Sequence, residues 1–208
     1  MIGILGGTFD PVHFGHLRIA LDVAEALGLE QVRLIPLAQA VHREQPHASA
    51  EQRLAMLQLA VAGHPRLAVD TREIERGGAS FMVDTLQSLR EELPGQALCL
   101  LLGGDAFNGF LSWREPQRIL DLAHILVMQR PGYVLPNDPQ LQQLVERHGC
   151  ASAAALQQRS AGGILLHTVT QLEISASDIR ARIAGGRDPS FLLPERVLGL
   201  IREQGLYR

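Results

Sequence analysis

MIGILGGTFDPVHFGHLRIALDVAEALG, residues Met1 to Gly28, decides how the rest of the chain is read. Met1–Leu5 is short and apolar and runs into Gly6-Gly7, as a buried strand does at its end. From Gly15 to Leu27, apolar residues fall at Leu17, Ala20, Leu21, Ala24 and Leu27, which is helical spacing, and Gly28 supplies the stop. Strand, glycine turn and helix in that order make a first βα unit.

The pattern repeats outward from there. Gln31–Pro36 reads as a second strand and Glu51–Ala62 as an amphipathic helix. Leu67–Ile74 is strand-like, and Ser80–Leu93 is helical after the Gly77-Gly78 break. Ala97–Leu102 and Ile125–Met128 are apolar strands on either side of a helix at Glu115–Leu122. Gly163–Val169 is a late strand, followed by helices at Ser177–Ala184 and Pro194–Gln204. Alternating helices and strands that are mostly apolar runs predict a parallel sheet covered on both faces. Such sheets bind ligands beyond the carboxyl ends of their strands, where strand order switches. Chemistry is therefore expected at Gly6-Gly7, Pro36–His47, Gly103–Asp105 and Ser175–Arg180. With 208 residues and no internal repeat or long linker, one domain over 1–208 is expected.

Composition narrows the chemistry. The net charge of −3 is not that of a general nucleic-acid binder. The apolar runs are too short to span a bilayer, and the N-terminus lacks the pattern of a signal peptide, so a cytoplasmic place is expected. Cys99 and Cys150 lack the spacing of a zinc site or a disulfide framework. All 19 basic residues are arginine, and no lysine occurs. A lysine nucleophile, a Schiff base and a Walker-type P-loop are thereby excluded, and a fixed cation on a phosphate must be arginine.

Gly6–His16, GGTFDPVHFGH, supplies bare backbone amides, the Thr8 hydroxyl, and His13 and His16 three apart where a helix begins. Residues at that spacing share a face, beside helix N-terminal amides that favour an anion. A phosphate cradle without lysine is the main reading. A tight turn with two satisfied histidines, and a metal site from Asp10, His13 and His16, are the alternatives; the continuous strand–turn–helix order weighs against both. In ISASDIR, residues 174–180, Ser177 fits an N-cap for a helix starting at Asp178. Arg180 in the first turn runs against the helix dipole unless an anion binds there.

These two segments, in this order near the two ends of the chain, resemble the paired signatures of the nucleotidylyltransferase superfamily. HREQP, LGGDAFNGFLSW, QRPGY and the ending LLPERV to GLYR make the whole chain similar to bacterial nicotinate-nucleotide adenylyltransferases. The resemblance implies an α/β fold: a Rossmann-like doubly wound parallel sheet with helices on both faces and a small C-terminal helical part. It implies AMP transfer from ATP to nicotinate mononucleotide, with Mg2+ carried by ATP and no metal held by the protein. The products are deamido-NAD and pyrophosphate. His13, His16 and Arg180 would be catalytic. Gly7, Thr8, Phe9, His13, His16, Gly103, Asp105, Ser175, Ser177 and Arg180 would bind ATP. His42, Arg43, Asp84, Thr85, Trp113 and Arg130 would meet the acceptor, Trp113 by stacking on the pyridine ring.

Two departures from the family pattern stand out: Ala40-Val41 replace prolines before His42, and Phe81-Met82 replace a Tyr-Thr pair. His47, His64, His124, His148 and His167 carry no motif. An ionised acceptor phosphate needs no general base, so the expected catalysis is positioning and electrostatics without a covalent intermediate. Nicotinamide mononucleotide or phosphopantetheine as acceptor, and a non-catalytic nucleotide sensor, are the competing readings. Nucleic-acid and membrane partners are not expected, and both a monomer and a homo-oligomer remain open.

Overall fold

Six apolar runs become six strands of one parallel sheet in the computed structural model, which describes residues 1–39, 45–129, 138–170 and 172–208. In chain order the elements are β1 (Ile2–Gly7), α1 (Phe14–Ala26), β2 (Gln31–Pro36), α2 (Ala50–Val61), β3 (Leu67–Val69), α3 (Arg72–Arg76) and α4 (Met82–Glu92). The second half holds β4 (Leu98–Gly103), α5 (Gly104–Asn108), a 3-10 turn at Phe110–Ser112, α6 (Pro116–Leu122), β5 (His124–Gln129), α7 (Pro139–His148), α8 (Ala153–Leu156), β6 (Ile164–Thr168), α9 (Ala176–Ala184) and α10 (Glu195–Gln204).

The strand order is β3-β2-β1-β4-β5-β6, with every pair parallel. This is the Rossmann-like doubly wound order. The chain winds outward from β1 to the β3 edge, then returns to place β4 on the other flank of β1. The switch point lies between β1 and β4, where Ile2 pairs with Leu98 and Ile4 with Leu100.

Burial on both faces explains why most of the strands carry no polar alternation; β2, with Gln31 and Arg33 partly exposed, is the exception. Along β4, Leu98, Leu100 and Leu102 enter the core under α4 and α6, while Cys99 and Leu101 enter the opposite core under α1, α2 and α10. Cys99 is a small core residue, and burial pushes its thiol up to about 12. No helix among the described residues is long and apolar enough to cross a membrane.

The structure differs from the sequence reading at several places. Leu67–Ile74 is a three-residue edge strand followed by α3. Asp70 ends the strand: its carboxylate accepts the Arg72 backbone N–H at 3.1 Å and the Arg72 guanidinium at 2.8 and 2.9 Å, which turns the chain. Helices α5, α7 and α8 were not anticipated. Helix α9 starts at Ala176, and its N-cap is Ser175, whose hydroxyl accepts the Asp178 N–H at 3.1 Å. Ser177 therefore lies inside the first turn, and Arg180 falls in the second.

Candidate active site

The turn after β1 is held from beneath. Arg53 on α2 is almost wholly buried, at 1% exposure, and donates to main-chain carbonyls: Thr8 at 2.9 Å, Leu37 at 2.7 Å and Ala48 at 3.3 Å. Burial lowers its pKa, and the charge of Asp10 opposes that shift. Phe9 adopts φ +51°, a left-handed conformation that costs a non-glycine residue energy, and its ring is buried. A Cβ at Gly7 would lie 3.0 Å from that ring, so a side chain there would have to push the ring aside.

Asp10 braces this turn. Its carboxylate accepts the backbone N–H of His47 at 2.8 Å and of Ala48 at 3.1 Å, and the hydroxyl of Tyr207 at 2.7 Å. Its main-chain carbonyl accepts from Arg180 at 2.7 Å. A carboxylate so engaged is a structural acceptor. Among the described residues, no three His, Cys, Asp or Glu side chains cluster to hold a metal ion, including Asp10, His13 and His16.

The two histidines stand at the start of α1, His13 as N-cap and His16 in the first turn. Their rings stack with centroids 3.8 Å apart and planes at 30°, and Phe9 meets His16 edge-on at 5.1 Å. Burial lowers the His13 pKa to about 4. Burial, and then the neighbouring charge of His13, lower that of His16 to about 3. Both rings are therefore neutral near pH 7. The His13 N–H donates to His16 Nδ1 at 3.3 Å. With Nδ1 as acceptor, the neutral His16 ring carries its proton on Nε2. His13 Nδ1 is buried with no hydrogen-bond partner. A Cβ at Gly15 would lie 2.9 Å from that nitrogen and 3.5 Å from the Ile174 carbonyl oxygen. Gly15 thus lets the His13 ring and the strand leading to α9 close on the same spot.

The two ends of the sequence meet here. The Ile174 carbonyl lies against Gly15 and the half-buried Arg180 donates to Asp10. His13, His16, Ser175 and Arg180 belong to this first cluster. Next to it, a cavity of about 370 Å3 opens at the switch point, walled by Gly6, Gly7 and Thr8 of the β1 end, Gly103 of β4, the start of α4, and Trp113. Gly7 and Thr8 are common to both.

Other expected site residues fall out differently. Gly103 lines the cavity and caps α5, whereas Asp105 is exposed on the first turn of α5, away from the cavity wall. Asp84 pairs with Arg114 at 3.3 Å. Thr85 is not on the wall: it is fully buried, and its hydroxyl donates to Glu73 at 2.6 Å. Glu73 is the residue that reaches the cavity. Phe81 and Met82 both line it, giving an apolar wall. His42, Arg43 and Arg130 lie outside the described residues.

Sequence reasoning missed Arg53, Glu73, Arg114 and Tyr207. Arg53 and Glu73 carry no motif, because each acts through contacts made only in the folded chain. Tyr207 sits in the GLYR ending, but nothing local ties it to residue 10. Arg114 follows Trp113 directly, a neighbour that could have flagged it.

A family model described as cytidylyltransferase-like matches residues 4–182. A protein of Acidithiobacillus ferrooxidans named "Probable nicotinate-nucleotide adenylyltransferase" is 48% identical over 99% of this chain and 94% of its own length. A protein of Aeromonas salmonicida with the same name is 46% identical over 100% and 97%. In fold, the chain is similar to nicotinic acid mononucleotide adenylyltransferase of Plasmodium falciparum, solved in complex with NaAD. The TM-score is 0.72, with 16% identity over 99% of this chain and 96% of that one.

Proposed function

The chain belongs to the nicotinate-nucleotide adenylyltransferase family, and on that premise we propose that it transfers AMP from ATP to nicotinate mononucleotide. Deamido-NAD and pyrophosphate are the products. The observation that carries this reading is the meeting of the two signature segments. Arg180 and Ile174 close onto Asp10 and Gly15, beside two neutral imidazoles and a cavity at the β1–β4 switch point. The whole of 1–208 acts as one nucleotidyltransferase domain, in a cytoplasmic step of NAD synthesis.

ATP would enter as its Mg2+ complex, the ion supplying charge neutralisation on the triphosphate. The bare amides around Gly7, Thr8 and Phe9 and at the start of α1 face the phosphates with His13 and His16. Ser175, Ser177 and Arg180 take the β- and γ-phosphates, and Gly103 and Asp105 the ribose. The acceptor lies in the cavity with its pyridine ring on Trp113, near Asp84; Thr85 acts from behind, by holding Glu73. An oxygen of its ionised phosphate attacks the α-phosphorus of ATP. The bond from that phosphorus to the β-bridging oxygen breaks, and pyrophosphate leaves with the electron pair. No proton has to be removed from the nucleophile. The task is to align two anions and stabilise charge spreading onto the α-phosphate. The His16 Nε2–H is a neutral donor suited to it.

Pyrophosphate release from MgATP, measured with nicotinate mononucleotide, nicotinamide mononucleotide, phosphopantetheine and no acceptor, tests the reading. Release is expected with nicotinate mononucleotide well above the others. Release confined to phosphopantetheine would overturn the acceptor, and release with none would favour a nucleotide sensor.

A further inference from the structure

We propose that the Arg114 guanidinium selects an acceptor whose aromatic ring carries a carboxylate over one whose ring carries a neutral amide. The inference rests on the reading above, that a pyridine nucleotide occupies the cavity, and goes on to name the residue that sets its acid preference.

The wall of the cavity is mostly apolar. Its charged side chains, among the described residues, are Glu73 and Arg114. Glu73 is buried and bonded to the Thr85 hydroxyl at 2.6 Å. A ligand carboxylate is repelled by Glu73 and attracted by Arg114, so it has one favourable direction within the cavity. Arg114 directly follows Trp113, and its guanidinium lies 4.9 Å from the centre of the Phe81 ring, another wall residue. A ring stacked on Trp113 would therefore bring a carboxylate substituent near this cation.

The guanidinium is held by two exposed carboxylates. Asp84 takes its Nη1 at 3.3 Å and Glu115 approaches its Nε at 3.6 Å, and both carboxylates are open to solvent. Exposed pairs of this kind are screened and weak. A carboxylate inside the cavity is less screened, so the same cation acts on it more strongly. Phe81 and Met82 add no hydroxyl that could do this work. The backbone amides at the start of α4 could bond either ligand, since a carboxylate and an amide both offer an oxygen acceptor. A positive charge beside the substituent favours the anionic carboxylate over the neutral amide, and Arg114 brings that charge to the wall.

The full-length chain and its Arg114→Gln and Arg114→Lys variants are compared with nicotinate and nicotinamide mononucleotides at saturating MgATP. Binding is read separately by quenching of Trp113, the only tryptophan. For Arg114→Gln, the ratio of kcat/KM for the acid over the amide should fall by about tenfold or more, chiefly through KM for the acid, as loss of a charge-assisted contact in the ground state requires. KM for ATP should stay within about twofold, and Arg114→Lys should recover part of the ratio. An unchanged ratio, or an equal fall for both acceptors, would overturn the proposal and leave selection to the α4 amides. If the unmodified chain releases pyrophosphate with neither nucleotide, the acceptor assignment fails first, a result distinct from failure of Arg114 alone.

Discussion

His13 and His16 stack at the start of α1, and burial holds both neutral near pH 7. Neutral rings suit the proposed role, since each can donate a hydrogen bond to a phosphate oxygen without losing a proton that the reaction would have to restore. With the His13 backbone N–H on Nδ1, His16 carries its proton on Nε2. His16→Ala should lower kcat by about 100-fold, as loss of an oxyanion donor does elsewhere, with a smaller effect on KM for ATP. A folded variant with near-normal kcat would refute that role. The same depressed values set a stability trend. In the unfolded chain these histidines protonate near 6.5; in the folded chain only at about 4 and about 3. Between those limits the unfolded state binds more protons, so stability rises with pH and falls as pH drops from about 6.5 toward 4. In melting curves without nucleotide, a His13→Asn/His16→Asn variant should lose less Tm across that window than the parent chain, by roughly 5 °C or more. Parallel curves would show that the pair does not titrate as the burial requires.

At the level of elements, what the sequence made legible follows from periodicity. Parallel strands are buried on both faces and read as short apolar runs, so β1, β2, β4, β5 and β6 stood out, as did α1 and α2. Edge strand β3 also read as strand-like but too long, because Asp70 and Arg72 end it with side-chain bonds that no periodicity records. Helix α7 carried a signal that was passed over: Asp138 accepts from Gln140 and Leu141, with Pro139 in the first turn. In ISASDIR either serine satisfies the capping rule, and only the fold decides between them. The Ile174 carbonyl must lie against Gly15, which makes Ser175 the cap and leaves Ser177 in the first turn. The two serines should therefore separate in experiment. Ser175→Ala should cost about 1 kcal/mol in denaturant unfolding, the usual cost of a lost cap. Ser177→Ala should leave stability within about 0.5 kcal/mol, as for a residue with no capping bond, and raise KM for ATP if its hydroxyl meets phosphate. Equal destabilisation by both would contradict this division of roles.

For the whole molecule, the site depends on ties that span nearly the full chain. Asp10 stands at their centre: Arg180, 170 residues away, donates to its carbonyl, and Tyr207, 197 residues away, donates to its carboxylate. Arg53 holds Thr8 from a third direction. These ties were invisible in the sequence because each joins segments brought together only by the winding of the sheet. The turn after β1 contains a left-handed Phe9 and would relax if released. The final residues therefore act as a clasp on the proposed phosphate-binding turn at the other end of the chain. Burial and the neighbouring Asp10 carboxylate both raise the Tyr207 pKa, so its hydroxyl stays a donor at all working pH values. Tyr207→Phe keeps the ring and removes only that donor. Asp10 Oδ1 would then keep the Ala48 N–H as its remaining partner. The expected cost is about 1–2 kcal/mol of stability, because a charged acceptor loses a hydrogen bond. Since the loosened turn belongs to the proposed triphosphate site, KM for ATP should rise several-fold while the acid-over-amide ratio for the acceptor stays unchanged. A Tyr207→Phe enzyme with normal KM for ATP would show that the turn holds its shape without the clasp, and a changed acceptor ratio would show that the clasp reaches the cavity as well.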